Sequence, residues 1–560
     1  MNDLIRDEWT QEYFNGNYSN LKSDEILGNV DARDEWGSNK KPEEVFIHIK
    51  SYKSFIKKST LFLYGRRGTG KTALIRMLCY EIEENKIKDY QYCSLIDSET
   101  SYSNLSVQIQ LGPYIKLEFK DLIIELKNKW LWVIETSAMQ TIIKKHHKLI
   151  DKNNDLKAII SFLESESISP LSKRRKNDVL NPMKRLSEII AEEFGKISDD
   201  KIQIGVALYK LTRRCFSSDY RTAQRSLYNF LIKNKETCLV IIDSIEPYSS
   251  DNVVFKALTA SLIETSLDLH AENNNYGVLC KTAFPAEMEP HIKPLNPGKA
   301  DPKSVFIRWG YADLVSMLAK RYLKLTTKTH NKKEYEKYED PLKARQYLYQ
   351  FMPSQMRTKV INDFDTLANI IRHTQKKPRQ ILYLMNTILT LAKSKNISFS
   401  ELDEETISSG IHARLDMPVK SVTDMYSHIY PECLKIIYSI LVDKENIMSM
   451  AELDQYLPSA SNVVGGRLAN YEVKRLLFEV GVLGTVRRKS NFEKNKQILE
   501  SLFEYQVKGL LPYNERSRIA VHPMFYTNLQ TKVSLNQFIY PVPGEETETE
   551  VLKELGINLL

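Results

Sequence analysis

Eight residues, Gly65-Arg66-Arg67-Gly68-Thr69-Gly70-Lys71-Thr72, set three glycines, a lysine and a hydroxyl at the spacing G-x-x-x-x-G-K-[ST]. Glycines at this spacing let the backbone curl until successive N–H groups point at one place. A helix starting there adds its positive end, and together these make an anion site. The lysine can reach the outer phosphates of a nucleotide and the threonine hydroxyl can ligate a cation. Gly65, Arg66, Arg67, Gly68, Thr69, Gly70, Lys71, Thr72 and Ala73 are therefore the candidate nucleotide-binding residues, Lys71 also catalytic, with ATP and Mg²⁺ as the expected ligands.

The flanks fit this reading. Thr60-Leu61-Phe62-Leu63-Tyr64 reads as a buried strand and Ala73-Leu74-Ile75-Arg76-Met77-Leu78 as a helix. A phosphate loop also needs an acid on a second strand. Cys238-Leu239-Val240-Ile241-Ile242-Asp243 supplies one, so Asp243 is expected to hold the metal shell together with Thr72. Ser244 follows where many ATPases have a glutamate. The next acid is Glu246, the candidate catalytic acid. This weak complement predicts slow turnover.

The 560 residues allow roughly three domains. No run of about 18 apolar residues exists, so no membrane span is expected. The polar N-terminus and six scattered cysteines without a C-x-x-C pair point to a cytoplasmic protein with reduced thiols. A net charge of +8 is compatible with an anionic partner or with a solvated surface. No metalloprotease or nuclease constellation is present.

The expected fold is α/β: a P-loop NTPase parallel sheet with a helical insertion, a helical lid and a C-terminal winged-helix domain. The expected divisions are an N-terminal segment (1–55), a core (56–310) with an insertion at about 100–235, a lid (311–425), a winged helix (426–535) and a tail (536–560). Within the core, 91–97 reads as a further strand, as does 276–284, which ends near Lys281 and Thr282. The insertion carries a basic loop, Lys173-Arg174-Arg175-Lys176. Within the winged helix, 433–441, 450–456 and 470–480 read as helices, and 483–488, 503–507 and 518–521 as strands. Lys474, Arg475, Arg487, Arg488 and Lys489 are the candidate DNA contacts.

The order of loop, acid-bearing strand, third strand and lid resembles the AAA+ initiators and the STAND-like bacterial ATPases. That resemblance implies a sensor-1 residue at Lys281 or Thr282, an arginine finger at Arg308 or Arg321, and a sensor-2 arginine at Arg379 in Lys377-Pro378-Arg379. It implies a homo-oligomeric switch ATPase that recruits or regulates an effector protein on another chain, in anti-phage defence. The alternative is a DNA-binding initiator or loader that uses its winged helix.

Overall fold

The computed structural model describes residues 4–5, 26–29, 42–97, 118–171, 182–194, 210–243, 253–273, 275–291, 294–326, 332–427, 429–460, 463, 468–493, 496–507, 511 and 513–541. Glu246, the basic loop 173–176 and the acidic tail 544–550 lie outside them. The chain divides into two units. One comprises Lys50–Gly65 and Lys71–Ile307; the other comprises Met1–Ile49, Arg66–Gly70 and Arg308–Leu560.

The first unit is built on five parallel strands: β1 (Phe62–Gly65), β2 (Tyr92–Asp97), β3 (Thr237–Asp243), β4 (Gly277–Pro285) and β5 (Ser304–Phe306), in the order β2-β3-β4-β1-β5. Every residue of β1, β3 and β4 is buried. This is why they read as continuous apolar runs rather than alternating ones. The winding reverses beside β1, and in such sheets ligands bind outside the carboxyl ends of the strands at that point. Those ends are Gly65 on β1, Asp243 on β3 and Pro285 on β4.

Helices α1 (Lys71–Glu83), α2 (Phe119–His146), α3 (Asn154–Ser165), α4 (Pro182–Phe194), α5 (Ser218–Asn234) and α6 (Val253–Glu272) complete this unit. The described helices of the segment expected as an insertion, α2 to α5, fall within this unit. Helix α2 packs directly on the sheet, with Ser94 and Ser137 hydroxyls 2.8 Å apart and the Tyr92 hydroxyl 2.8 Å from His146 Nε2. It also packs along α6, where the Trp130 indole donates to the Leu258 carbonyl at 2.9 Å. Glu135 of α2 is 1 % exposed, and it accepts from Tyr220, Gln224 and Tyr228 of α5. Three donors offset the desolvation of that carboxyl and lock α5 to α2.

The second unit carries α7 (Tyr311–Thr326), α8 (Pro341–Leu348), α9 (Thr366–Arg372), α10 (Pro378–Ser394), α11 (Glu404–Ala413) and α12 (Asp416–Tyr426). Asp365 caps helix α9, accepting from Ala368 N at 2.7 Å. The same carboxylate takes Arg345 at 2.7 Å and Tyr311 at 3.1 Å, which ties α7, α8 and α9 together. Pro378 occupies the first turn of α10, where its missing N–H costs nothing.

The winged-helix fold follows with α13 (Cys433–Leu441), α14 (Met450–Tyr456) and α15 (Asn470–Glu479). Its sheet contains β6 (Ile447–Ser449), β7 (Leu483–Glu493), β8 (Lys496–Phe503), β9 (Arg518–Val521) and β10 (Gln537–Pro541), in the order β10-β8-β7-β9-β6. Two expectations change here. The second wing strand is β8, while Glu504–Gln506 is a helical turn. Strand β10, expected in the tail, pairs parallel with β8 from Gln497↔Gln537 to Ser501↔Pro541, so the domain runs at least to residue 541.

Candidate nucleotide-binding site

In the first unit, β1 ends at Gly65 and α1 begins at Lys71, so the first-turn N–H groups of α1 lack helical partners. Lys71 is 6 % exposed and its Nζ donates to the Gly65 carbonyl at 2.9 Å. The ammonium is thus pinned across the base of the loop. Thr72 is half-buried beside it. Asp243 ends β3 and is 6 % exposed. β4 separates β3 from β1, which puts Asp243 two strand spacings away, about 10 Å.

The crest of the loop, Arg66–Gly70, belongs to the second unit. Gly68 has φ +85° and Gly70 has φ +92°, conformations that a Cβ disfavours. Thr69 folds the crest back on itself, its hydroxyl donating to the Arg66 carbonyl at 2.7 Å. The Trp309 indole donates to the Thr69 carbonyl at 2.8 Å. Arg379 lies against Gly68: a Cβ built there would sit 3.4 Å from Arg379 Cβ, and the Arg379 N–H reaches the Gly68 carbonyl at 3.4 Å. Arg66 Nη1 donates to the Glu479 carbonyl, at the end of α15, at 3.1 Å. The chain therefore brings the crest, the start of α10 and the end of α15 together.

The remaining candidates divide. Arg308 is half-buried next to Trp309. Arg321 is 8 % exposed and donates to the Leu27 carbonyl at 2.8 Å, while Leu27 N donates to Asn386 at 2.8 Å. Arg321 thus holds the N-terminal segment to α7 and α10, a position that does not suit a finger extended toward another subunit. Lys281 also departs from expectation. Thr282 pairs with Phe62 at the start of β1, and β4 runs on to Pro285 opposite Gly65. Lys281 therefore sits four residues before the end of β4, opposite Ile241 of β3. It is 1 % exposed, and its Nζ donates to the carbonyls of Phe55 and Lys57, each at 2.7 Å, and of Thr60.

Burial, only partly offset by Asp89 and Cys280, pushes the Lys281 ammonium down to about 7. Its role is to satisfy carbonyls after the short helix Lys50–Phe55. Lys281→Met should destabilise the protein by about 2–4 kcal/mol, because several carbonyls lose a charged donor. The turnover of the folded fraction should stay at the wild-type value. A mutant with normal Tm and lost hydrolysis would restore the sensor role.

Within the first unit, a pinned ammonium, a helix start, a hydroxyl and a carboxylate at the carboxyl ends of the strands are chemistry that fits a nucleotide and a divalent cation. Sheet order, loop and acid give this unit the fold of a P-loop NTPase. A family model described as ORC-CDC6-like matches residues 31–102, which hold β1, the loop, α1 and β2. No curated protein is significantly similar in sequence. Among solved structures, the Aeropyrum pernix ORC2 protein with ADPNP and ADP is 9 % identical over 92 % of this chain and 98 % of its own, with a TM-score of 0.35. The A. pernix ORC1 protein in complex with DNA is 10 % identical over 88 % and 93 %, with a TM-score of 0.33. Cdc6p from Pyrobaculum aerophilum is 10 % identical over 84 % and 86 %, at 0.25. Likeness this loose places no residue.

Proposed function

We propose that the chain is an ATP-binding, slowly hydrolysing switch of the DNA-binding initiator type, whose nucleotide loop reports to its winged helix. The observation that carries this reading is the Arg66–Glu479 bond. A guanidinium of the phosphate loop caps the C-terminal end of α15, where helix carbonyls concentrate negative charge. Glu479 is itself held on all sides: Tyr426 donates to its carbonyl at 2.8 Å, Tyr430 to its carboxylate at 2.7 Å and Arg475 at 2.6 Å. A shift of the loop on binding phosphate is then felt at the end of α15.

In this reading the residues of the loop hold the phosphates, Thr72 and Asp243 hold Mg²⁺, Arg379 senses the outer phosphate and Arg308 serves a neighbouring copy in a homo-oligomer. An effector protein and a defence role draw no support from the family match, which favours the initiator-type alternative. Among the described residues no helix is long and apolar enough to cross a membrane.

How DNA would be held follows from which basic groups are engaged. On α15, Lys474 pairs with Asp454 and Arg475 with Glu479. Half of that helix is buried, including all of its last turn. Arg487, Arg488 and Lys489 on β7 are exposed. The wing, rather than α15, is thus the phosphate-contacting element, and binding should be weakly sequence-selective. Replacing Arg487, Arg488 and Lys489 by alanine should lower the slope of log K against log salt by about 3. Lys474→Ala should leave the slope unchanged. Fluorescence anisotropy with a labelled duplex, with ATP and with ADP, reads both this slope and the nucleotide dependence. DNA affinity indifferent to nucleotide would defeat the coupling; no DNA binding at all would defeat the initiator reading.

A further inference from the structure

Within the second unit, α9, α11 and β10 border a cavity of about 480 Å³. That volume falls in the range of small-molecule sites, about 300–1,000 Å³. Its apolar wall includes Val360, Tyr526, Phe538 and Ile539, with Ser408 on the α11 side. Arg372, the last residue of α9, lines it while only 9 % exposed. The guanidinium lies 3.9 Å from the centre of the Phe538 ring. Its Nε is buried and has no hydrogen-bond partner, and Arg372 forms no ion pair among the described residues.

Among the described residues, no carboxylate pairs with Arg372. The two carboxylates at the cavity are engaged elsewhere: Glu404 accepts from the Arg357 N–H at 2.5 Å, and Glu405 pairs with Lys395 at 3.3 Å. The neighbouring histidines are neutral. Burial, with Arg372 among the further causes, pushes His412 down to about 4 and His522 to about 3, and holds His373 well below its ordinary value. A guanidinium does not shed its proton at neutral pH. A buried charge left unpaired is costly, and a matching anion relieves that cost.

The structure assigns this cavity to a small organic oxyanion, its carboxylate or phosphate group on Arg372 and its apolar or aromatic body against Phe538, Ile539 and Val360. The site belongs to the second unit alone and is separate from the nucleotide loop. Its occupant would stiffen the junction between α9, α11 and the wing sheet, which places a small metabolite in a position to modulate the winged-helix domain.

The test is thermal unfolding of the full chain in a Lys71→Ala background, so that the phosphate loop does not answer. The probes are phenyl phosphate and benzoate at constant ionic strength, with benzyl alcohol as the uncharged control. At least one anion should raise Tm by several degrees and benzyl alcohol should not; which anion acts identifies the head group. Arg372→Met should abolish the shift, and without ligand should melt at or above its parent. Ser408→Phe keeps the charge but fills the volume, and should also abolish the shift; it decides the matter should Arg372→Met fail to fold. The assignment is overturned if neither anion shifts Tm, or if both variants respond like the parent.

Discussion

Lys71→Ala should lower ATP hydrolysis by about 10²–10³-fold, equivalent to ~3–4 kcal/mol of lost transition-state stabilisation. The reasoning starts from the burial of this side chain. Its ammonium is 6 % exposed and bonded to the Gly65 carbonyl at 2.9 Å, so its position is fixed before any phosphate arrives. A preorganised charge loses little entropy on binding and acts at low local dielectric, where it counts for most. Alanine keeps the helix start and the glycine conformations, so the fold should survive. Wild-type protein at a nucleotide concentration about 100 times Kd gains roughly 2.7 kcal/mol of stability. Lys71→Ala should lose most of that gain while its Tm without nucleotide stays near wild type. Phosphate release and a thermal scan with and without ATP read both effects. An ATP-dependent Tm shift of wild-type size in Lys71→Ala would remove Lys71 from the site.

The parts of this site that could be read from the residues share one physical property: they are local. The loop is eight consecutive residues with the required glycines, and β3 is a buried run ending in an acid. Neither depends on a distant partner. The readings that changed all depend on one. Lys281 resembles a polar residue near a strand end until its three carbonyl partners are seen. Helix α2 is buried on several sides, so its periodicity did not reveal that it covers the sheet. Lys474 is a free cation on the page and a paired one beside Asp454.

Strand β10 shows the same limit. Phe538-Ile539-Tyr540 is a β-prone run, but its pairing is parallel to β8 across more than thirty intervening residues. Arg372 closes α9 where a basic residue suits the helix dipole, so its sequence position suggests an exposed end. Only the cavity and Phe538 reveal a buried charge. Arg66 is the instructive case. Its place inside the loop was legible, whereas its bond to Glu479, 413 residues away, was not. That bond gives the loop its proposed reach beyond phosphate.

Asp243→Asn should leave nucleotide binding in EDTA intact, lower Mg²⁺-dependent hydrolysis by about 10²–10³-fold, and move the Mg²⁺ requirement to higher concentration. Asparagine preserves the shape at the end of β3 and removes only the charge. The predicted split follows from the sheet. Asp243 stands two strand spacings from β1, about 10 Å between backbones, so an ion can fit between its carboxylate and phosphates held at the loop. In the proposed role it acts on them through a hydrated cation shared with Thr72. Loss of charge therefore weakens the cation and spares the phosphate grip. Because Ser244 follows Asp243 in place of a second acid, water activation has no partner immediately beside the metal carboxylate, and the residual rate should already be low in wild type. Titrating Mg²⁺ against phosphate release in both proteins separates the two contributions. Identical Mg²⁺ curves would exclude Asp243 from the metal shell. A shifted curve that reaches the wild-type maximum at saturating Mg²⁺ would mean that Asp243 recruits the cation without shaping the chemical step.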